Sequence, residues 1–319
     1  MSEVNARSES AAPIARVAVC ALTFKRPHGL ARLLNGFSRL STPNIEPIIV
    51  IVDNDPARSG EAQVTEWARS AAWPTRYACQ PQRGIAHARN MALETALTAL
   101  ADARNGAARD EWIAFIDDDE APHADWLEQL WAAARRFRAD VVTGPVEAAF
   151  EEPAPKWVLH GRFFERQRYA SGAARPYAFT NNVLMRAAIP AGGLRFDSRF
   201  VLNVGEDRHF FEIAARDGAR IVWCDEAVVT EWNPPARVNP TWLIERMRRV
   251  GRSTSLVELA LREGLGTRAR LWRNGLAWWA IGMAQAVPAI WSGMVGRVRA
   301  ARSRAYGRGL IEGLMGRIS

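Results

Sequence analysis

Short apolar runs alternate with longer stretches in which apolar residues recur every three or four positions. The first run, Ile14 to Thr23, contains Val17-Ala18-Val19-Cys20-Ala21-Leu22. A second occupies Pro47 to Val52, a short one Arg76 to Cys79, and another Trp112 to Ile116. Runs this short and this apolar predict strands buried on both faces of a sheet. Between them, Leu30, Leu33, Leu34 and Phe37 have helical spacing, Glu61 to Ala72 predicts a second helix, and the stretch after Gly84 predicts a third reaching Ala101. Asp102 to Arg109 reads as a loop. Strand–helix alternation of this kind predicts an α/β fold: a Rossmann-like, mostly parallel sheet with helices on both faces.

The second half is less regular. Pro122 suits the first turn of a helix that includes Trp126, Leu127, Leu130 and Trp131. Asp140 to Val146 reads as a strand, Glu151 to Arg175 as a long loop, and Phe179 to Met185 as a short strand entered through polar residues. An apolar helix follows Glu206-Asp207, and strands are expected at Ile221–Cys224 and Val228–Val229. Asn233-Pro234-Pro235 closes the sheet domain. Three regions result: a disordered tail over 1–14, an α/β domain over 15–235, and a helical basic and apolar region over 236–319.

Charge sharpens this picture. The net charge is +8, and Lys25 and Lys156 are the only lysines, so Arg carries nearly all of the positive charge. The arginines crowd the last third of the chain, which favours an anionic partner. Asn274 to Gly296 contains no charged residue and is flanked by arginines on both sides. It is long enough to span a bilayer, or it lies in an anionic leaflet as a peripheral element; a core helix pair is the alternative. Three scattered cysteines suit neither a disulfide framework nor a zinc site, and a reducing cytoplasm fits.

The candidate chemistry lies at strand ends. Trp112 to Ile116 runs directly into Asp117-Asp118-Asp119-Glu120, and the second strand into Asp53-Asn54-Asp55. Open α/β sheets bind ligands at the carboxyl ends of their strands. Clustered carboxylates become favourable when a hard cation neutralises them, and Mg²⁺ commonly fills its remaining sites with water and phosphate oxygens. A solvated acidic turn is the alternative. Arg89 is a candidate phosphate contact or a solvated helix residue. Glu206 and Asp207 offer a general base or a helix cap. His209, beside an apolar run, reads as structural.

In order, Thr23-Phe24-Lys25-Arg26-Pro27, Val52-Asp53-Asn54-Asp55, Gly84 with Ala88-Arg89-Asn90, Phe115-Ile116-Asp117-Asp118-Asp119 and Gly205-Glu206-Asp207 resemble the motifs of the family 2 glycosyltransferases, which have the GT-A fold. The resemblance covers about residues 15 to 250. Val229 to Ser253, with Pro234, Trp242, Arg246 and Gly251, is similar to the bacterial exopolysaccharide branch, the succinoglycan-type glucosyltransferases. Two positions depart from the pattern: Lys25 replaces an Asn, and Glu231 stands where many relatives have a His near the metal.

The resemblance implies an inverting transferase that takes a sugar from a nucleotide diphosphate donor, most often a uridine diphosphate sugar. It implies nucleotide-sugar contacts from Thr23, Asp53, Arg89, Asp117 and Asp118, and Mg²⁺ or Mn²⁺ on Asp119 and Asp117. Asp207 is the implied base, Glu206 its neighbour in the catalytic pair, and Asn181 and Asn182 acceptor-side residues. The implied acceptor is a lipid-linked sugar or a polysaccharide, at the cytoplasmic face of the inner membrane and in cell-surface polysaccharide synthesis. Nucleic acid is not an expected partner. Two other classes stay open on the residues alone: a metal-dependent phosphohydrolase using Asp117 as nucleophile, and a basic nucleic-acid-binding module.

Overall fold

The computed structural model describes residues 15–103, 110–200 and 205–316. The tail expected at 1–14 and most of the loop expected at Asp102–Arg109 lie outside them. In chain order the elements are β1 (Ala15–Thr23), α1 (Pro27–Phe37), β2 (Ile45–Asp53), α2 (Glu61–Ala68), β3 (Thr75–Cys79), α3 (Ile85–Asp102) and β4 (Glu111–Asp117). Then come β5 (Glu120–Pro122), α4 (Trp126–Arg136), β6 (Val141–Thr143), β7 (Val146–Phe150), α5 (Lys156–Gly161), β8 (Asn182–Arg186) and α6 (Ala188–Ala191). The chain continues through α7 (Glu206–Arg216), β9 (Ile221–Trp223), β10 (Val229–Asn233), α8 (Pro240–Leu261), α9 (Leu265–Ala286) and α10 (Gly293–Met315).

Seven strands form the main sheet in the order β3-β2-β1-β4-β8-β6-β9. All neighbours are parallel except at β8, which runs antiparallel to both β4 and β6. Period-two alternation divides the core. Val17, Val19, Ala21, Ile49, Ile51, Trp112 and Ala114 pack under α1 and α4 on one face. Ala18, Cys20, Val50, Val52, Ile113 and Phe115 meet α3 and α7 on the other. Both faces are covered, which is why these strands are apolar throughout. Cys20 and Cys224 are buried free thiols.

Chain order reverses around β1, whose neighbours are β2 and β4. Their register sets Thr23 beside Asp53 and Leu22 beside Asp117. The acidic strand ends thus meet at the switch point of the sheet, where a crevice opens.

A second sheet, β5-β10-β7, lies over this end and corrects two expectations. Pro122 does not open a helix. It ends β5 opposite Val229, and α4 starts only after Asp125. An edge strand tolerates a residue without an N–H. The strand expected over Asp140–Val146 is two, because Gly144-Pro145 breaks it: β6 joins the large sheet and β7 the small one. The loop expected over Glu151–Arg175 contains α5, and the strand expected at Val228–Val229 extends to Asn233.

The C-terminal region is helical, as expected. α10 packs along both α8 and α9. Among the described residues no helix is long and apolar enough to cross a membrane, which removes the spanning form of the expectation for Asn274–Gly296. Pro288 interrupts that stretch after α9, and the chain turns back into α10.

Candidate active site

Thr23, Asp53 and Asp117 end three adjacent strands. Asp53 is fully buried. Its carboxylate accepts hydrogen bonds from the backbone N–H of Asp55 (2.9 Å) and of Gly60 (2.7 Å) and from the Tyr77 hydroxyl (3.1 Å). Asn54 is bound as fully. Its amide donates to Gln80 and Gln82 carbonyls, and its oxygen accepts from Gly84 N–H. Both side chains shape the loops around the crevice.

The acidic run behaves differently. Asp118 receives hydrogen bonds from Thr23 and from Arg26, the latter at 2.8 Å. Asp119 pairs with Arg237 at 2.8 Å and Arg26 at 3.2 Å. Glu120 is buried; one of its oxygens accepts from Asp117 N–H at 3.0 Å. Asn181 reaches its other oxygen at 3.4 Å. Across the small sheet Glu231 stands in register with Glu120 and pairs with Arg166 at 2.5 Å and Arg237 at 3.4 Å.

Negative charge at this strand end is in excess. Burial pushes the Asp117 carboxyl up to about 7, with Asp119, Asp118 and Glu231 adding repulsion against the pull of Arg89. Burial and Asp117 likewise push Glu120 well up. Among the described residues no three His, Cys, Asp or Glu side chains form a preformed metal cage. The donor set nevertheless fits a hard cation that takes one or two carboxylates and completes its shell with substrate oxygens. Asp119, with Asp117, would hold it.

Asp207 and Glu206 open α7. Gly205 precedes them with φ +130°, and an added Cβ would lie 2.4 Å from the Ser253 hydroxyl on α8. Glycine therefore sets the angle at which α7 enters. Glu206 is buried against Arg89 and takes the Gly205 N–H at 2.9 Å. Burial raises its carboxyl to about 7, with Arg89 opposing and Asp207 adding to the shift. Arg89 is itself buried and also feels Asp207 and Asp117. Its pair with Glu206 joins α3 to the start of α7. His209 packs on Phe200, ring centres 5.2 Å apart, as a structural residue.

Asn182 is held on several sides. It is fully buried, accepts from the Trp126 indole at 2.8 Å and donates to the carbonyls of Pro145 (2.9 Å) and Ala227 (2.7 Å). It ties the two sheets together. Asn181 stays beside the acidic cluster.

The sequence reading missed the arginines that meet these carboxylates. Arg26 lies inside the first quoted motif, while Arg166 and Arg237 come from a long loop and a 3-10 turn, without a local signal. Arg246 is partly buried over Trp242 at 5.2 Å. Its guanidinium is pushed down to about 10 by burial and by Arg166, Arg302 and Arg237, against Glu231. Arg26, Arg166 and Arg237 border the acidic cluster and pair with its carboxylates.

Fold and site together define a glycosyltransferase of the GT-A type. The model of Glycosyl transferase family 2 matches residues 18–192, and the chain belongs to that family. It is 30% identical over 303 residues to the succinoglycan biosynthesis protein ExoM of Rhizobium meliloti (strain 1021), covering 94% of this chain and 92% of the relative. Among solved structures it is similar to mannosyltransferase PcManGT from Pyrobaculum calidifontis in complex with GDP-Man and Mn²⁺. That likeness has a TM-score of 0.61 at 16% identity, over 96% of this chain and 90% of that one. The S. aureus TarS 1-349 structure in complex with UDP-GlcNAc gives 0.50 at 17%, over 93% and 91%. The chain spans 55% of a longer TarS chain. Family membership sets aside the phosphohydrolase and nucleic-acid-binding readings.

Proposed function

We propose that the chain is a divalent-metal-dependent, inverting glycosyltransferase using a uridine diphosphate sugar. Its acceptor is a lipid-linked sugar or a polysaccharide at the cytoplasmic membrane face, in exopolysaccharide synthesis. The observation that carries this reading is the link through Arg89. Its buried pair with Glu206 fixes the start of α7, and with it Asp207, relative to the sheet whose strands end at Thr23, Asp53 and Asp117.

Asp207 takes the proton from the acceptor hydroxyl. The hydroxyl oxygen then bonds to the anomeric carbon as the bond from that carbon to the diphosphate breaks, and one displacement inverts the configuration. Glu206 holds Arg89 and so fixes the frame in which Asp207 stands. Bound Mg²⁺ or Mn²⁺ would supply Lewis-acid stabilisation to the departing diphosphate. Arg237 and Arg246 supply fixed positive charge beside it. Thr23 and Asp118 line the nucleotide side, and Asn181 the acceptor side.

The test is calorimetry of uridine diphosphate with and without Mn²⁺, on the wild type and Asp119→Asn. Metal-dependent binding that the variant loses supports the reading. Binding indifferent to metal and to Asp119, or no nucleotide binding at all, overturns it.

A further inference from the structure

Glycines line much of the contact between α9 and α10, with Leu271, Leu310 and Leu314 buried in a cluster beside them, while the outer side of α9 exposes large apolar residues. α9 meets α10 through Gly275, Gly282 and Leu271. A Cβ on Gly307 would stand 2.4 Å from the Gly275 carbonyl, and one on Gly282 2.7 Å from Arg304 N. The two backbones therefore touch along a glycine seam. On the outer side Trp272, Leu276, Trp279 and Met283 follow one another at spacings of three and four. Val287, Ile290 and Trp291 continue the exposed surface, Trp291 at 80% exposure. A helix facing water buries its aromatic residues. Small residues at the helix contact with large apolar residues outward is instead the arrangement of helices that meet lipid.

Charge identifies the occupant. Nine arginines and a single acidic residue, Glu312, fall between Gly264 and Ser319. Arg273 and Arg297, at the two ends of the uncharged stretch, are exposed and make no ion pair among the described residues. A second copy of the chain would bring two such arginine sets together and would be repelled. Acidic headgroups above an acyl layer complement both the arginines and the apolar stripe, and tryptophan favours that boundary.

We propose that α9 and the turn after it form an in-plane docking surface for an anionic phospholipid bilayer. Trp272, Leu276, Trp279 and Trp291 enter the acyl boundary, and Arg273 and Arg297 lie against the headgroups. The inference deepens the membrane-face reading above, and its test requires no sugar nucleotide. Failure here would leave transferase activity intact, and failure of the transferase reading would leave vesicle binding intact.

The experiment is flotation of the full chain with phosphatidylcholine vesicles, with and without phosphatidylglycerol, followed by tryptophan emission. The expected result is binding that depends on phosphatidylglycerol, with a blue shift. Leu276→Ser with Trp279→Ser should abolish the shift while thermal unfolding is unchanged. Arg273→Gln and Arg297→Gln should each lower partitioning about fivefold, the factor for about 1 kcal/mol per basic residue at such a surface. No binding by the folded protein, or binding equal in wild type and Ser variant, overturns the proposal. So does a dimer that the Ser variant dissolves.

Discussion

Arg89 on α3 and Glu206 at the start of α7, 117 positions apart in the chain, form a buried ion pair beneath the site. Neither side chain has a solvent route to satisfy its charge if the other is removed. Breaking such a pair costs about 3–5 kcal/mol, whereas replacing both partners with apolar residues of similar volume is often neutral. Arg89→Met should therefore lower the unfolding free energy by about that amount. The double variant with Glu206→Leu should recover most of it. Denaturant unfolding of the three proteins checks the expectation.

Asp207 should separate chemistry from binding. Asp207→Asn keeps the size of the side chain and its position in the first turn but removes the proton acceptor. The turnover number should fall about 10²–10⁴-fold, the usual worth of a positioned base. Donor affinity, read by calorimetry, should be unchanged.

Asn181 and Asn182 are neighbours with opposite expectations. Asn182→Ala leaves the Trp126 indole and two buried carbonyls without partners. It should cost about 1–3 kcal/mol per orphaned group at most, with no change in acceptor KM for the protein that remains folded. Asn181→Ala should raise acceptor KM and leave the melting temperature unaltered. Steady-state kinetics and thermal unfolding on both variants discriminate them.

The raised carboxyls make stability fall as pH rises. Burial holds Asp117 up to about 7 and Glu120 well up, from ordinary values of 3.8 and 4.5. The folded state keeps these protons when the unfolded chain has released them. Their contribution is full below the unfolded values and is lost as pH climbs through about 7. The ligand-free protein should melt several degrees lower on the alkaline side of this window. Asp117→Asn should flatten the slope, as should Mn²⁺ added with uridine diphosphate. A pH series of melting curves reads all three.

Much of the fold was legible because burial on both faces writes itself locally. Val17 to Leu22 and Trp112 to Ile116 are apolar at every position, since helices cover each side of the sheet. Pro122 misled because its fixed backbone angle suits a helix start and an edge strand equally. Gly144-Pro145 split one expected strand between two sheets, an outcome set by distant partners.

The site divides in the same way. The sequence by itself determined where the acidic strand ends lie, the ordered motifs, and the charge contrast of the last third. Only the tertiary structure decided which polar groups are free to act. Arg89 and Asn182 are held by partners far along the chain, and Asp53 by the loop that follows its own strand and by Tyr77. Arg166 and Arg237 have no local signature and are brought to Glu231 and Asp119 by the packing of a loop and a turn. Hydrophobic period reports the average environment of neighbouring positions. Hydrogen bonds and ion pairs depend on which distant residue arrives, and that is fixed when the sheets and helices pack.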